Sequence, residues 1–430
     1  MPFSRASRRS RAPGAGGDAR MRRKAGGARP GVSVRCPEGR AVFLLEDAGY
    51  RSVRLAGDFN DWGLAGDPMA VRRGGRWRVE KRGLLSGTHR YKYVIDGERW
   101  IPDPANPRVE TDRGGWTNSL FTVPRSTADR RFIASVEAAL ARTPPRWGRR
   151  GGRRAALGML DAVLLREGAA GMPAVRRLFV RRLANLLERF RREPVRSGWR
   201  VSHLYNHGFI VETPGAAVGF DVVTGRGVLG LWWDIPPGLA AALAARLDAL
   251  LVSHRHLDHL DVELVARMRA AGKPVILPAE LSCLFASGAR HASPGALLDL
   301  PCGVRVRAHD GRHVYDGGRG IPTRYYEAEF PGGPRVLHLG DHDYTSGVRR
   351  DGPVDLLIPK CGGISPDGDD FDAVGACVAA VGPARVLAGH LFEVGHPARE
   401  GRTGIAAACR MLEGGGAPFE ALFWGEGIRG

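Results

Sequence analysis

Cysteine is scarce and scattered. Six occur in 430 residues (Cys36, Cys283, Cys302, Cys361, Cys377 and Cys409), and no two stand in CxxC spacing. That excludes a zinc ribbon and argues against a disulfide framework, so reduced thiols in a cytoplasmic protein are expected. Long apolar runs are missing too. The Ala-rich stretch from Gly238 to Val252 is broken by Arg246 and Asp248, and no transmembrane helix is expected. The basic N-terminus lacks an apolar core, so a secretory signal is not expected. Acid is in short supply: 45 acidic against 64 basic residues leave a net charge of +19. Such a surplus suggests nucleic acid, but it is localised. Residues 1–40 carry 11 basic and 2 acidic side chains, and residues 125–200 carry 19 and 6. The remainder is slightly acidic, so the excess belongs to a tail and a linker.

The densest chemistry is in Ser253-His254-Arg255-His256-Leu257-Asp258-His259-Leu260-Asp261, directly after the apolar run Ala249 to Val252. Three imidazoles and two carboxylates at a strand end suit a divalent metal ion. His254 and His256 are two apart and project to one side of an extended backbone. Asp258 and His259 continue towards a helix start and can face a second ion. Two later apolar strands end in further candidates, Asp341 in Val336-Leu337-His338-Leu339-Gly340-Asp341 and His390 in Val386-Leu387-Ala388-Gly389-His390. A third strand, Val304–Val306, is followed by His309 and His313.

Residues 1–39 are rich in Arg, Gly, Ala and Ser and read as a disordered basic tail, with Met1 and Met21 both open as translation starts. Residues 40–124 change texture. Short alternating strands are punctuated by Gly, Asn and Asp, which predicts a small all-β domain. Residues 125–198 show helical spacing, clearest in Ala174–Arg192, and read as a basic helical linker. From residue 199 to 430, strands alternate with helices.

Two families match these motifs. The segments Gly57-Asp58-Phe59-Asn60-Asp61-Trp62, Tyr91-Lys92-Tyr93-Val94-Ile95-Asp96-Gly97, Trp100-Ile101-Pro102-Asp103-Pro104 and Asn118-Ser119 closely resemble the glycogen-binding β-sandwich of the AMP-activated kinase β subunit. Matching modules begin isoamylases and branching enzymes. The resemblance implies an immunoglobulin-like sandwich whose Trp62, Lys92, Trp100 and Asn118 grip α-glucan. Indoles stack on sugar faces, and Lys and Asn bond hydroxyls. The extra residue in the turn before Trp100 could displace that indole.

His254-x-His256-x-Asp258-His259 resembles the signature of metallo-β-lactamase-fold hydrolases, which implies an αββα sandwich over residues 199–430. In that family a third histidine completes the first site. The offset from the strand favours His313 over His309. Asp258, His259 and His390 would form the second site, with Asp341 bridging. The resemblance implies two divalent ions, zinc first, with manganese or iron as alternatives. It also implies a bridging hydroxide, oriented by Asp258, that attacks a phosphorus or carbonyl centre. His396, Lys360 and Tyr344 are candidates for the leaving-group acid. The branch resembled contains ascorbate-phosphate lactonase and the phosphatidylethanolamine-hydrolysing phospholipase D enzymes.

The expected protein is therefore a metal-dependent hydrolase of a phosphodiester or lactone/ester, with a small-molecule or lipid-like substrate and an appended glucan-binding module. Two other readings are a catalytically idle glucan-binding adaptor and a nuclease that uses the basic tail and linker. The oligomeric state is left open.

Overall fold

The computed structural model describes residues 34–36, 40–60, 62, 67–72, 75–82, 84, 87–111, 115–123, 127–148, 151–165, 169, 172–224, 226–228, 231–232, 235–282, 289–314, 320–344, 346–364, 370–394 and 403–430. The tail up to residue 33, both alternative starts, Cys283 and His396 lie outside them.

The chain is mixed α/β with a β-sandwich in front. One four-stranded sheet orders Val34–Arg35, Arg40–Glu46, Arg76–Arg82 and Ala70–Arg72. A second runs Asp67–Pro68, Val53–Gly57, Gly87–Ile95, Thr117–Val123 and Val109–Thr111, with Arg99–Ile101 also paired to Gly87–Ile95. Alternation decides the inside. Ala41, Phe43 and Leu45 are buried with Leu55, Tyr91, Tyr93 and Phe121 in one apolar cluster. The buried Asp103 carboxylate is satisfied by the Tyr91 and Tyr93 hydroxyls at 2.6 and 3.1 Å. The turn before Trp100 absorbs its extra residue through left-handed backbone at Asp96 and Gly97, φ 54° and 80°, and Trp100 stays in register opposite Val94.

Two seven-stranded sheets surround the histidine motif, beside a small ribbon of Arg226–Val228 and Leu231–Trp232. The first runs Arg290–Ala292, Val275–Pro278, Ala249–Leu251, Ala217–Phe220, Phe209–Glu212, Arg200–His203 and Gly427–Arg429. The second runs Leu297–Asp299, Arg305–Val314, Gly320–Glu329, Arg335–His338, Leu356–Ile358, Arg385–Leu387 and Phe419–Glu420. Val211, Phe220 and Leu251 of the first share a dry core with Val306, Tyr326, Val336 and Leu387 of the second. Alternate residues point the other way, so Leu250, Val275, Leu337 and Val386 face the helices. The strand expected at Val304–Val306 continues to Val314. His309 and His313 therefore lie on it, rather than in a turn after it.

Seven helices occur among the described residues: α1 Thr127–Arg142, α2 Gly152–Leu164, α3 Pro173–Arg192, α4 Pro237–Arg246, α5 Val262–Ala270, α6 Asp370–Val381 and α7 Ile405–Glu413. The segment expected to be a linker differs from that expectation. Its apolar residues (Val136, Leu160, Leu178, Phe179, Leu186) are buried in the same cluster as residues of both large sheets. The cause is the 3.6-residue stripe on each helix, which has to be buried somewhere. Several of its arginines serve internal carboxylates. Arg153 reaches Glu420 and Glu426, and Arg182 reaches Glu137.

The joint between α2 and α7 carries a pH-dependent cost. No side chain caps α7 from its own N-cap position, Gly404. Asp161 of α2 does so instead, accepting from the Ile405 N–H at 2.7 Å. Burial pushes its carboxyl up to about 6. The folded-state value exceeds the unfolded one, so this group's contribution falls as pH rises from about 4 through about 6. Asp161→Asn keeps an acceptor without the charge. It should stabilise the protein by about 1–3 kcal/mol at pH 8. Thermal melts should show that gain closing towards pH 4, and an equal gain at both pH values would refute the assignment.

Candidate functional site

Parallel strands Ala249–Leu251 and Val275–Pro278 deliver their following loops to one edge of the sheet. Residues 253–261 leave there and fold as turns. They end at Asp261, whose carboxylate caps α5 by accepting from Glu263 and Leu264 N–H, both at 3.0 Å. The second sheet supplies Asp341, after strand Arg335–His338, and His390, after Arg385–Leu387. The sheets meet at Gly340. Its φ is 53°, and a Cβ there would lie 2.6 Å from the Ser253 Cβ, so only glycine fits.

Seven side chains converge. His254, His256, His313 and Asp341 form one group, and Asp258, His259 and His390 another, with donor atoms within 4.8 Å of one another in each. Asp341 stands between them. Its Oδ2 lies 3.6 Å from His313 Nε2 and 3.9 Å from His254 Nε2. Its Oδ1 lies 3.3 Å from His259 Nε2 and 3.4 Å from His390 Nε2. Asp258 Oδ2 is 3.4 Å from both His259 Nε2 and His390 Nε2.

This donor set fits divalent metal. A tetrahedral ion with bonds of about 2.1 Å needs ligands roughly 3.4 Å apart, and the donor separations bracket that value. Three buried donor atoms, His259 Nε2, His313 Nε2 and Asp258 Oδ1, make no hydrogen bond within the protein. Buried polar atoms normally find partners. Electrostatics agree. Burial would strip His259 of its proton, but Asp341, Asp258 and Asp221 overcome it and hold the imidazole well above its ordinary range. Protein charge alone leaves the carboxylates in excess.

A supporting layer sits beneath. Asp221 Oδ2 is 2.7 Å from His259 Nδ1, which turns His259 Nε2 towards Asp258 and Asp341. Asp221 also accepts from the Ser253 N–H at 2.6 Å and its hydroxyl at 2.7 Å. His338 lies in this layer, 4.3 Å ring to ring from His207, with Nε2 3.0 Å from the His207 carbonyl. Strand alternation puts it on the Val336 face, between the sheets, where it stacks on Phe220. Asn206 is a contributor that sequence reasoning missed. Its Nδ2 donates to Asp258 Oδ2 at 2.8 Å. The available signal was Asn before His-Gly, a residue tolerant of left-handed backbone, and its φ is 49°. Asp221, His390 and Phe392 share that conformation, with φ 46°, 57° and 60°. Such strain gathers at functional sites.

The remaining candidates separate. His309 stacks on Tyr325 at 4.8 Å and meets Glu327 at 3.1 Å, outside the convergent groups. Tyr344 donates its hydroxyl to the Lys360 carbonyl at 2.5 Å. That bond commits it to holding the loop. Lys360 Nζ lies 3.7 Å from Asp341 Oδ2.

On the front sandwich the Trp62 and Trp100 rings stand 6.4 Å apart. Lys92 and Asn118 are buried on adjacent strands. Trp116, which sequence reasoning passed over, is 64% exposed, with Lys92 Nζ 5.0 Å from its ring centroid.

Layered sheets thus carry a histidine–aspartate cluster at their strand ends. A stretch of 183 residues is 29% identical to a UPF0173 metal-dependent hydrolase of Anaeromyxobacter dehalogenans strain 2CP-1, covering 37% of this chain and 63% of that protein. A namesake from Anaeromyxobacter sp. strain K matches with the same identity and coverage. The chain thus spans 63% of the length of these relatives. Residues 42–129 match the family described as the glycogen recognition site of AMP-activated protein kinase. Among solved structures, a metallo hydrolase from the archaeon Ignicoccus hospitalis aligns at 18% identity and a TM-score of 0.40, covering 54% of this chain and 97% of that one. The chain is thus similar to the glycogen-recognition family over residues 42–129 and to metal-dependent hydrolases over a stretch of 183 residues.

Proposed function

We propose that the protein is a dinuclear metal hydrolase, zinc being the first candidate, that cleaves a phosphodiester or a lactone/ester. The observation that carries this is Asp341, whose two oxygens face separate histidine groups. His254, His256 and His313 would hold one ion, and Asp258, His259 and His390 the other. Bound divalent ions would supply an acidified water and polarise the scissile bond. The chain's own contribution is orientation. Asp221 fixes His259, Asn206 fixes Asp258, and the Asp258 carboxylate would direct the attacking water and take its proton. The convergent donors favour this reading over an idle adaptor. The internal use of linker arginines removes support from the nuclease. Metal analysis with a substrate panel on zinc- and manganese-loaded protein is the test. A preparation that holds metal stoichiometrically and turns over no ester or diester would sink the enzyme reading.

The sandwich would bind α-glucan through Trp62, Lys92, Trp100 and Asn118, with the exposed Trp116 lengthening the aromatic face. Trp62→Ala should weaken glycogen co-sedimentation roughly tenfold, as loss of a central aromatic contact does. Trp116→Ala should cost less, about threefold, because one face of its indole stays in water. Wild-type protein that stays in the supernatant would remove the glucan reading and leave the hydrolase untouched.

A further inference from the structure

We propose that Lys360 anchors an anionic group of the substrate, a phosphate or carboxylate, beside the metal-ligand cluster; this rests on the hydrolase reading above. Lys360 is placed rather than loosely tethered. It follows strand Leu356–Ile358 and forms a parallel bridge with Gly389, the residue before His390. The Tyr344 hydroxyl holds its carbonyl at 2.5 Å, and Cys361 N–H bonds the Gly389 carbonyl at 3.0 Å. The Lys360 side chain is only 16% exposed, and its Nζ lies 3.7 Å from Asp341 Oδ2.

That oxygen is the one nearest His313 and His254. The ammonium therefore borders the first ligand group directly.

Charge decides what the ammonium needs. A desolvated ammonium requires a counter-charge, and in the metal-free protein Asp341 supplies it. Four buried carboxylates stand at the two groups: Asp221, Asp258, Asp341 and, 3.9 Å from His390 Nδ1, Glu393. Two divalent ions would draw on all four, so Asp341 would no longer serve the ammonium as its own counter-charge. A substrate anion there would meet both the ammonium and the ions. A neutral ester would leave the ammonium unpaired. The site thus selects anionic esters, a phosphodiester or a carboxylate-bearing lactone, over neutral ones.

The test uses full-length protein carrying zinc, with metal content measured on every preparation. Inorganic phosphate is titrated by calorimetry. KM is measured for bis-p-nitrophenyl phosphate and for the neutral p-nitrophenyl acetate. Lys360→Gln should weaken phosphate binding and raise the diester KM by roughly tenfold or more, the size of a charge-assisted hydrogen bond. Metal content should stay as in wild type, the diester KM should rise by a larger factor than the acetate KM, and Lys360→Arg should retain most phosphate affinity. Unchanged phosphate affinity in fully metallated Lys360→Gln would overturn the proposal. So would zinc loss in proportion to affinity loss, which would make Lys360 a tether for Asp341. Wild-type protein that holds zinc and cleaves the acetate but binds no phosphate would defeat this proposal and spare the hydrolase reading. Absence of metal and of all turnover would defeat both.

Discussion

Asp341→Ala is expected to lower hydrolysis by more than about 100-fold and to release most of the bound metal. Loss of groups that merely support metal ligands costs about 10–100-fold, and Asp341 is placed to be a ligand itself. It contacts both histidine groups. Its Oδ2 faces His254 and His313, and its Oδ1 faces His259 and His390. The substitution would also leave Lys360, at 3.7 Å, without its counter-charge. Two readouts separate the explanations. Metal content near zero with an unchanged melting profile identifies a ligand. Full metal with low activity would confine Asp341 to orienting the reaction. Wild-type activity and metal in Asp341→Ala would contradict the bridging assignment outright. Asn206→Ala gives a graded comparison. It removes a 2.8 Å hydrogen bond to Asp258 and should cost about 10-fold in activity.

Arg153→Ala is expected to destabilise the fold by about 3–5 kcal/mol, the usual result of removing one partner from a buried ion pair. The Arg153 side chain is 7% exposed and reaches Glu420 Oε1 at 3.1 Å and Glu426 Oε2 at 2.5 Å. It also donates to the Thr143 and Ala421 carbonyls at 3.0 and 2.8 Å. One guanidinium therefore ties α1 and α2 to the last strands of both sheets. Without it the buried Glu420 carboxylate loses its guanidinium, and Glu426 keeps only Arg182 at 4.0 Å. Even with Arg153 present, burial already pushes the Glu420 carboxyl up from its ordinary value. The defect should therefore be largest at neutral pH and shrink below about pH 5, where protonation removes the stranded charge. Denaturant titration at pH 7.5 and pH 4.5 checks this, and a loss below about 1 kcal/mol at pH 7.5 would show that water replaces the guanidinium. Adding Glu426→Gln to Arg153→Ala should recover part of the loss.

The helical segment explains why these arginines misled a reading by charge. Composition counts an Arg as basic wherever it lies. Arg153, Arg182 and Arg200 each meet glutamates distant in sequence or across a strand pair, and no window of sequence brings those partners together. The apolar stripe of α3 was legible, because a 3.6-residue period survives in one dimension. What the stripe packs against was not. Strand ends were also uncertain, and that mattered at one place. His313 and His309 both lie on Arg305–Val314. A strand places residues four apart on one face but about 13 Å apart along it, so only one of the two histidines can reach a given centre. His313 meets Asp341, and His309 meets Glu327.

Local chemistry was readable wherever donors lie within a few residues of one another. His254, His256, Asp258 and His259 declared a metal motif because imidazoles and carboxylates at that density serve little else. The strands between Trp62 and Trp100 declared an all-β domain by their alternation, and the resemblance implied the sandwich. By itself, then, the sequence determined the two kinds of domain and most of the donors. The resemblance implied Asp341 between the two groups; tertiary structure alone decided that Asn206 and His338 join Asp221 in the layer beneath, and that Lys360 stands 3.7 Å from Asp341. Each of those facts depends on two separate sheets meeting at Gly340 and Ser253, a contact set by packing in three dimensions and by no local pattern.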